Sequence, residues 1–276
     1  NPLMDLLLHT KNTEGNAFSV NGFADVNFTD WLKLSIKANA NLDEYRYTAV
    51  YNPYYGQFKS TGGTVSKEHD RDFEYNFQQL LNFNKTWGKH TVGAMLGHEN
   101  YVAKSYGLWA SKSQMFSQEN KELGGAAVDG KSAGSSIGEY NNEGYFFRAQ
   151  YDFDSKIFVS GSYRRDASSR FLPKKQWGNF WSAGAAWIIS KESWFNASWI
   201  DELKLKASVG SQGNDNIGNY RYTDTYDIIN SSGTVATAFS TKGNPDITWE
   251  TNTNINAGVE YSFFAGRLSG SLEYFD

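Results

Sequence analysis

The sequence has no cysteine, only four prolines among 276 residues, and no apolar run of about 18 residues. Without cysteine, a disulfide framework, a thiol nucleophile and a cysteine-based zinc or iron–sulfur site are excluded. Without a long apolar run, we expect no membrane-spanning helix. The net charge is −4, and the cations are spread along the chain. This distribution argues against nucleic acid as a partner.

Aromatic residues are abundant, at 16% of the chain, whereas charged residues make up 20% and the mean hydropathy is −0.58. Tyr, Phe, Trp and Thr favour strands, and Gly, Asn and Ser favour turns. The composition therefore predicts an all-β fold.

Apolar and polar residues alternate with a period of two, which is the pattern of a strand with one buried face. Residues 18–28 and 32–40 show this alternation on either side of a tight turn at Thr29 and Asp30. Such a pair predicts a hairpin. The same pattern predicts four more hairpins, in residues 73–96, 145–163, 181–209 and 255–272.

The connections alternate between short turns and long segments. Short turns are predicted near residues 29, 88, 154 and 265, and longer segments near 43–70, 99–143, 165–178 and 211–250. A transmembrane β-barrel shows this asymmetry, with short periplasmic turns, long external loops and strands of about ten residues. Aromatic residues gather at the short-turn end and predict an interfacial girdle, as in Trp31, Phe83, Trp87, Phe153, Trp199 and Phe263.

The polar face of these strands carries long charged side chains, which would all point into a barrel lumen. They are Lys33, Lys37, Glu74, Gln78, Arg148, Lys204, Lys206 and Glu260. A closed barrel of only about ten strands has little room for them, so a larger barrel fits better. The alternative is a soluble β-sandwich or adhesin that binds carbohydrate through loop aromatics and packs its apolar face on a second sheet.

Three stretches of the sequence carry a family likeness: 165–171 (RDASSRF), 199–210 followed by Gly213 and Asn214, and 244–250 (NPDITWE). They resemble the barrel of SusC/RagA-type TonB-dependent transporters. Ala167 departs from the pattern, because the family usually has glycine there. The motif residues are Arg165, Asp166, Ser168, Ser169, Arg170, Phe171, Asn244, Pro245, Trp249 and Glu250.

The resemblance implies that residues 1–276 are an antiparallel transmembrane barrel segment of about ten strands from a barrel of about 22. It also implies that the plug domain and the closing strands are absent from the sequence. The expected location is the bacterial outer membrane, as a multi-pass barrel in contact with lipid. The implied function is import of oligosaccharides or peptides, with a SusD-like surface lipoprotein as lid and the TonB complex as energy source.

No motif predicts an enzyme, a metal site or a cofactor. The four histidines offer no pair at the helical i, i+4 spacing of a metal site. Because sugar faces stack on aromatic rings and hydroxyl groups bind amides, the candidate ligand contacts are aromatic and amide residues of the long loops. They are Tyr54, Tyr55, Trp109, Asn214, Asn216 and Tyr220.

Overall fold

The structure is a computed structural model that describes Leu3 and residues 7–276, and ten of its strands form one sheet. The predicted segment 1–276 therefore includes residues 1, 2 and 4–6, which lie outside the described residues. The strands are β1 (Thr10–Thr29), β2 (Leu32–Tyr51), β3 (Thr64–Trp87), β4 (His90–Met115), β5 (Ala126–Phe153), β6 (Ile157–Ser168), β7 (Trp177–Ile188), β8 (Ile200–Asn214), β9 (Thr225–Ser231), β10 (Thr234–Thr241), β11 (Glu250–Phe263) and β12 (Leu268–Phe275).

The order in the large sheet is β1-β2-β3-β4-β5-β6-β7-β8-β11-β12, so most strands neighbour the next strand in sequence. The pairs from β5 to β8, and β11 with β8 and β12, are antiparallel. The remaining strands, β9 and β10, form a separate hairpin. This topology confirms the predicted all-β antiparallel fold. A β-sandwich divides its strands between two facing sheets, so one sheet of ten strands gives no support to the soluble alternative.

The chain divides into two compact units. Unit 1 comprises Asn1–Gly22, Ala38–Asn76 and Tyr101–Glu139, and unit 2 comprises Phe23–Lys37, Phe77–Asn100 and Tyr140–Asp276. The core of unit 1 is a small cluster of Val50, Val65 and Ala126, packed against Met115 and Leu123.

Unit 2 has its own buried residues, and several of them are polar. Phe171, Phe180 and Ile188 are buried together with the side chains of Asp166 and Ser168. Most other large apolar side chains of this unit stay exposed on one face of the sheet. The sheet of unit 2 therefore has a small interior and a wide apolar surface.

The tight turns are fixed by residues in the left-handed backbone region. Asp154 and Ser155 both have positive φ, 56° and 52°, which is the geometry that a short hairpin needs to follow the strand twist. The carboxylate of Asp152 accepts a hydrogen bond from the Ser155 amide at 2.8 Å. At the β3–β4 turn, Gly88 has a φ of 58°. The predicted turns at 88 and 154 are confirmed.

Several strands are longer than the alternation predicts. β3, β4 and β5 continue into the segments near 43–70 and 99–143 that were expected to be long connections. Ion pairs between neighbouring strands hold these extensions in unit 1, as in Lys104 with Glu139 at 3.1 Å and Lys112 with Asp129 at 3.2 Å. Alternation fails to predict them because both faces of the extensions carry polar residues.

The connection lengths also depart from strict alternation. β7 and β8 are joined at the short-turn end by residues 189–199, a longer segment than the connection 169–176 at the opposite end. A 3-10 turn at Ile189–Lys191 begins this segment. The segment 189–199 also contains Trp194, whose ring centre lies 6.2 Å from that of Trp187 of β7.

The two faces of the sheet in unit 2 have different chemistry. The polar face carries Arg148, Ser162, Ser182 and Lys206, and the register places each beside a residue of the same face on the neighbouring strand. The apolar face carries the alternate residues, such as Phe147, Tyr163 and Trp181. The predicted period of two therefore describes the sheet correctly in this unit.

Candidate functional site

The candidate ligand contacts of unit 1 lie in the connection after β2 and on β4. Tyr54 and Tyr55 are each 56% exposed, and both of their backbone amides donate to the side-chain oxygen of the buried Asn52, at 3.0 and 2.9 Å. This turn fixes the backbone and leaves both rings free for stacking. Trp109 is also exposed, and its ring lies over Gly134 of β5, where an added Cβ would collide with it.

The other candidate contacts belong to unit 2, in the connection that follows β8. The amide of Asn214 donates to the Glu250 carboxylate at 3.0 Å, and its oxygen accepts the Asn216 backbone N–H at 3.0 Å. Tyr220 is exposed and has a φ of 61°. The structure therefore brings Tyr54 and Tyr55 together in one turn, and Asn214 and Asn216 together in another.

Two of the family-motif residues, Ser168 and Arg170, meet at Asp215, a residue that sequence reasoning missed. The Asp215 carboxylate accepts hydrogen bonds from the hydroxyls of Tyr140 and Ser168, each at 2.7 Å. The guanidinium of Arg170 lies 3.6 Å from the same carboxylate and donates to the Asp215 carbonyl at 3.0 Å. It also lies 4.5 Å from the centre of the Tyr140 ring. We call these four residues the Asp215 cluster.

The Asp215 cluster ties three segments together: β5, the connection after β6 and the connection after β8. Ser169 adds a further tie, because its amide donates to the Asn141 carbonyl and its hydroxyl accepts the Asn141 amide, both at 3.0 Å. A signal in the sequence could have identified Asp215, because it stands between the two asparagines predicted as ligand contacts.

Aromatic rings pack beside the Asp215 cluster. Phe171 is 1% exposed and contacts the Trp249 ring at 5.6 Å, and Phe180 contacts the same ring at 5.2 Å. The indole N–H of Trp249 donates to the Gln176 carbonyl at 2.6 Å. Trp249 therefore fastens the entry of β11 to the connection 169–176.

The turn that leads into Trp249 is held by Asn244. Its backbone N–H donates to the Arg221 carbonyl at 2.9 Å, and its side-chain oxygen accepts the Asp246 amide at 3.0 Å. Pro245 lies between these two residues and restricts the backbone of the turn. Glu250 then begins β11 and accepts the hydrogen bond from Asn214. The family motif at residues 244–250 thus has a structural role, because it fixes the entry of β11.

Arg165 and Asp166 point to opposite faces of the sheet. Asp166 is buried on the polar face, where Arg164 contacts it at 2.7 Å and contacts Glu99 at 3.1 Å. Arg165 lies on the apolar face, with its guanidinium 5.0 Å from the centre of the Trp177 ring.

The polar face also carries a concave space of about 690 Å³, lined by small residues such as Gly93, Ser160 and Gly184. Lys206 borders it and lies 2.7 Å from the Glu260 carboxylate, which also accepts from Lys204 at 2.9 Å. These three predicted inward charges share one face, and Glu273, which also pairs with Lys206, supplies the second acid that balances the two lysines.

Two tyrosine hydroxyls that lie far along their strands from the short turns, those of Tyr101 and Tyr140, have raised pKa values. Burial, followed by the hydrogen bond to Asp215, raises the pKa of Tyr140 to about 12. In unit 1, the hydrogen bond to Glu74 raises the pKa of Tyr101 to about 12, and the same bond lowers the pKa of Glu74. Both hydroxyls therefore stay protonated hydrogen-bond donors at neutral pH.

Within Leu3 and residues 7–276, no group of three or more His, Asp or Glu side chains is placed to hold a metal ion. Over the same described part of the chain, no helix is both long and apolar enough to cross a membrane.

Comparisons with known proteins agree on one family. The family model described as "TonB dependent receptor-like, beta-barrel" matches residues 6–276. TonB-dependent receptor P3 of Formosa agariphila is 26% identical over 242 residues, which cover 81% of this chain and 24% of the relative. TonB-dependent receptor SusC of Bacteroides thetaiotaomicron is 26% identical over 288 residues, covering 99% of this chain and 28% of SusC.

A solved structure is similar over nearly the whole chain. The structure of the RagAB peptide transporter matches with a TM-score of 0.91 and 26% identity, covering 98% of this chain and 30% of the matched chain. The chain thus spans less than a third of each of these relatives, all of which are named as receptors or transporters. Because the family model matches almost every residue, this chain belongs to the TonB-dependent receptor β-barrel family.

Proposed function

We propose that the full-length protein imports oligosaccharides or peptides across the outer membrane, and that this chain is part of its barrel wall. The observation that carries the proposal is the two-faced sheet of unit 2. On its apolar face, Phe147, Val159, Trp181, Leu205 and Ile255 are between 39% and 49% exposed on successive neighbouring strands. Exposing such an apolar surface to water is unfavourable, whereas the acyl chains of lipid can cover it.

In this assignment the apolar face meets lipid and the polar face lines the lumen. The ion-paired side chains of Lys204, Lys206 and Glu260 suit a water-filled interior, because water can solvate the parts of these charged groups that remain exposed. The similarity to SusC and RagAB supports a SusD-like surface lipoprotein as partner and the TonB complex as energy source. The long connections would then face the cell exterior, where substrate arrives.

The function is tested by deleting the complete gene in the native bacterium and measuring growth on single glycans and on peptides. We expect growth to fail on one substrate class, to recover when the gene is restored, and to be normal on a simple sugar. Deleting tonB should cause the same defect. Unchanged growth on every glycan and peptide, or a protein absent from the outer-membrane fraction, would contradict the proposal.

The proposed ligand contacts need a separate test in the full-length protein. Tyr54→Ala with Tyr55→Ala, and Asn216→Ala with Tyr220→Ala, should each raise the substrate concentration needed for half-maximal uptake. Phe116→Ala is the matched control, because Phe116 is 94% exposed and outside the candidate set. Equal uptake by both double variants and the control would remove these residues from the proposed site.

A further inference from the structure

On the apolar face of unit 2, away from the short turns, an arginine lies among aromatic and amide side chains. The register places Arg165 of β6 beside Tyr145 of β5 and Asn179 of β7. Tyr163 lies two residues earlier on the same face, and Trp177 contacts the guanidinium. We call these five residues the outer band.

The outer band marks a boundary in the chemistry of the apolar face. Between it and the rings of Tyr151 and Trp187 near the short turn, this face of β5, β6 and β7 carries only apolar side chains or glycine, namely Phe147, Ala149, Val159, Gly161, Trp181, Ala183 and Ala185. Ile157 and Arg165 are about 26 Å apart along β6 at the usual rise per residue. With the usual strand tilt this is about 20 Å of depth, close to the height of the apolar membrane band. The outer band therefore lies at the level of lipid headgroups.

The guanidinium of Arg165 has no ion-pair partner among the described residues 3 and 7–276. The acid of this face nearest in register, Glu143, is engaged elsewhere, because it accepts the Tyr145 hydroxyl at 2.7 Å and lies 3.3 Å from His98. Adjacent Arg164, on the polar face, pairs with both Glu99 and Asp166. One arginine is thus neutralised by the protein, and its neighbour is not.

At the level of the headgroups a guanidinium costs little, and an anionic lipid headgroup attracts it. Arginine suits this position because it stacks on an aromatic ring and still presents a planar fork to phosphate oxygens. Trp177 provides the ring, and it stacks in turn against Tyr145 at 6.2 Å. The Tyr163 hydroxyl donates a hydrogen bond to the side-chain oxygen of Asn179 at 2.7 Å, so the edge of the outer band is polar.

We propose that Arg165, seated on Trp177 in the outer band, binds the phosphate group of an outer-leaflet lipid. The inference rests on the proposed function, because it requires the apolar face to lie in the outer membrane. It adds a binding site on the outside of the barrel, separate from the substrate path on the polar face.

The test uses the full-length protein in bilayer nanodiscs of phosphatidylcholine alone, with diphosphorylated lipid A, or with lipid A whose phosphates have been removed. Diphosphorylated lipid A should raise the Tm of the wild type and remain bound in native mass spectrometry. Arg165→Met suits a lipid-facing position and should still insert, but it should bind that lipid about fivefold more weakly. Arg165→Gln should behave in the same way, and Arg165→Lys should recover much of the binding.

Arg164→Gln is the matched control, because it removes the same charge from the opposite face; it should lower the Tm and leave the response to lipid phosphate intact. An equal response of the wild type to both forms of lipid A would assign the band to acyl-chain contact and overturn the inference. Equal stabilisation by inorganic phosphate without lipid would also overturn it. If the lipid-binding inference fails in either of these ways but substrate uptake is normal, the proposed function still stands. If the wild-type protein does not insert into any bilayer, the proposed function is contradicted.

Discussion

At the scale of single residues, the family motif has a physical explanation in the Asp215 cluster. A partly buried carboxylate needs several partners, and Asp215 accepts hydrogen bonds from two hydroxyls and forms an ion pair with a guanidinium 3.6 Å away. Ser168 supplies one of these hydroxyls and Arg170 supplies the guanidinium, so both partners come from one short motif. The cluster holds the turn between Asn214 and Asn216 in place, so the proposed ligand contacts depend on it.

Removing one hydroxyl of the cluster should have an effect that depends on pH. Tyr140→Phe loses the hydrogen bond to Asp215, and we expect it to cost about 1 kcal/mol of unfolding free energy at neutral pH. Because the fold raises the pKa of Tyr140 from 10.0 to about 12, its contribution is complete below pH 10 and is lost as the pH approaches 12. Urea unfolding of the full-length protein across this range should show the two proteins converging.

The control for this pH dependence is Tyr220→Phe, which removes a hydroxyl from an exposed ring. Its unfolding free energy should stay parallel to that of the wild type from neutral pH to pH 12. A constant difference between Tyr140→Phe and the wild type over that range would contradict the proposed link between Tyr140 and Asp215.

At the scale of elements, the parts of the strands that lie near the short turns could be predicted. They have one apolar face and one polar face, which gives a clear period of two in the sequence. The extensions of β3, β4 and β5 could not, since cross-strand ion pairs such as Lys104 with Glu139 replace that pattern there. The hairpin of β9 and β10 was missed within the connection 211–250, because both of its faces are exposed. The Asp215 cluster was missed because its members come from three segments that are far apart in the sequence and meet only in the fold.

Glycine in β8 makes room for the aromatic packing beside the cluster. A Cβ on Gly213 would overlap the Phe180 ring, which packs against Trp249. Gly213→Ala should therefore destabilise the full-length protein by about 2 kcal/mol, as overpacking does elsewhere. Thermal unfolding followed by tryptophan fluorescence measures this change.

A second variant separates overlap from a general effect of alanine in a strand. Gly161→Ala adds the same methyl group where the nearest atom is a carbonyl oxygen 3.8 Å away, an ordinary contact. It should leave the Tm nearly unchanged. In a Phe180→Ala background, which removes the ring, the Gly213→Ala change should cost less than it does in the wild type. Equal Tm changes for the two alanine variants would show that crowding at Phe180 is not the cause.

At the scale of the whole molecule, the assignment of lipid and lumen to the two faces makes a prediction about neighbouring residues. Ala183 lies on the apolar face near the middle of β7, and Ser182 beside it lies on the polar face, next to Ser162. In the full-length protein, Ala183→Arg should cost about 2–4 kcal/mol, because the charge would face the centre of the bilayer. Ser182→Arg should cost far less, since a lumen-facing arginine stays hydrated. The fraction of heat-resistant folded protein in lipid vesicles measures both, and a larger loss for Ser182→Arg would reverse the assignment of the faces.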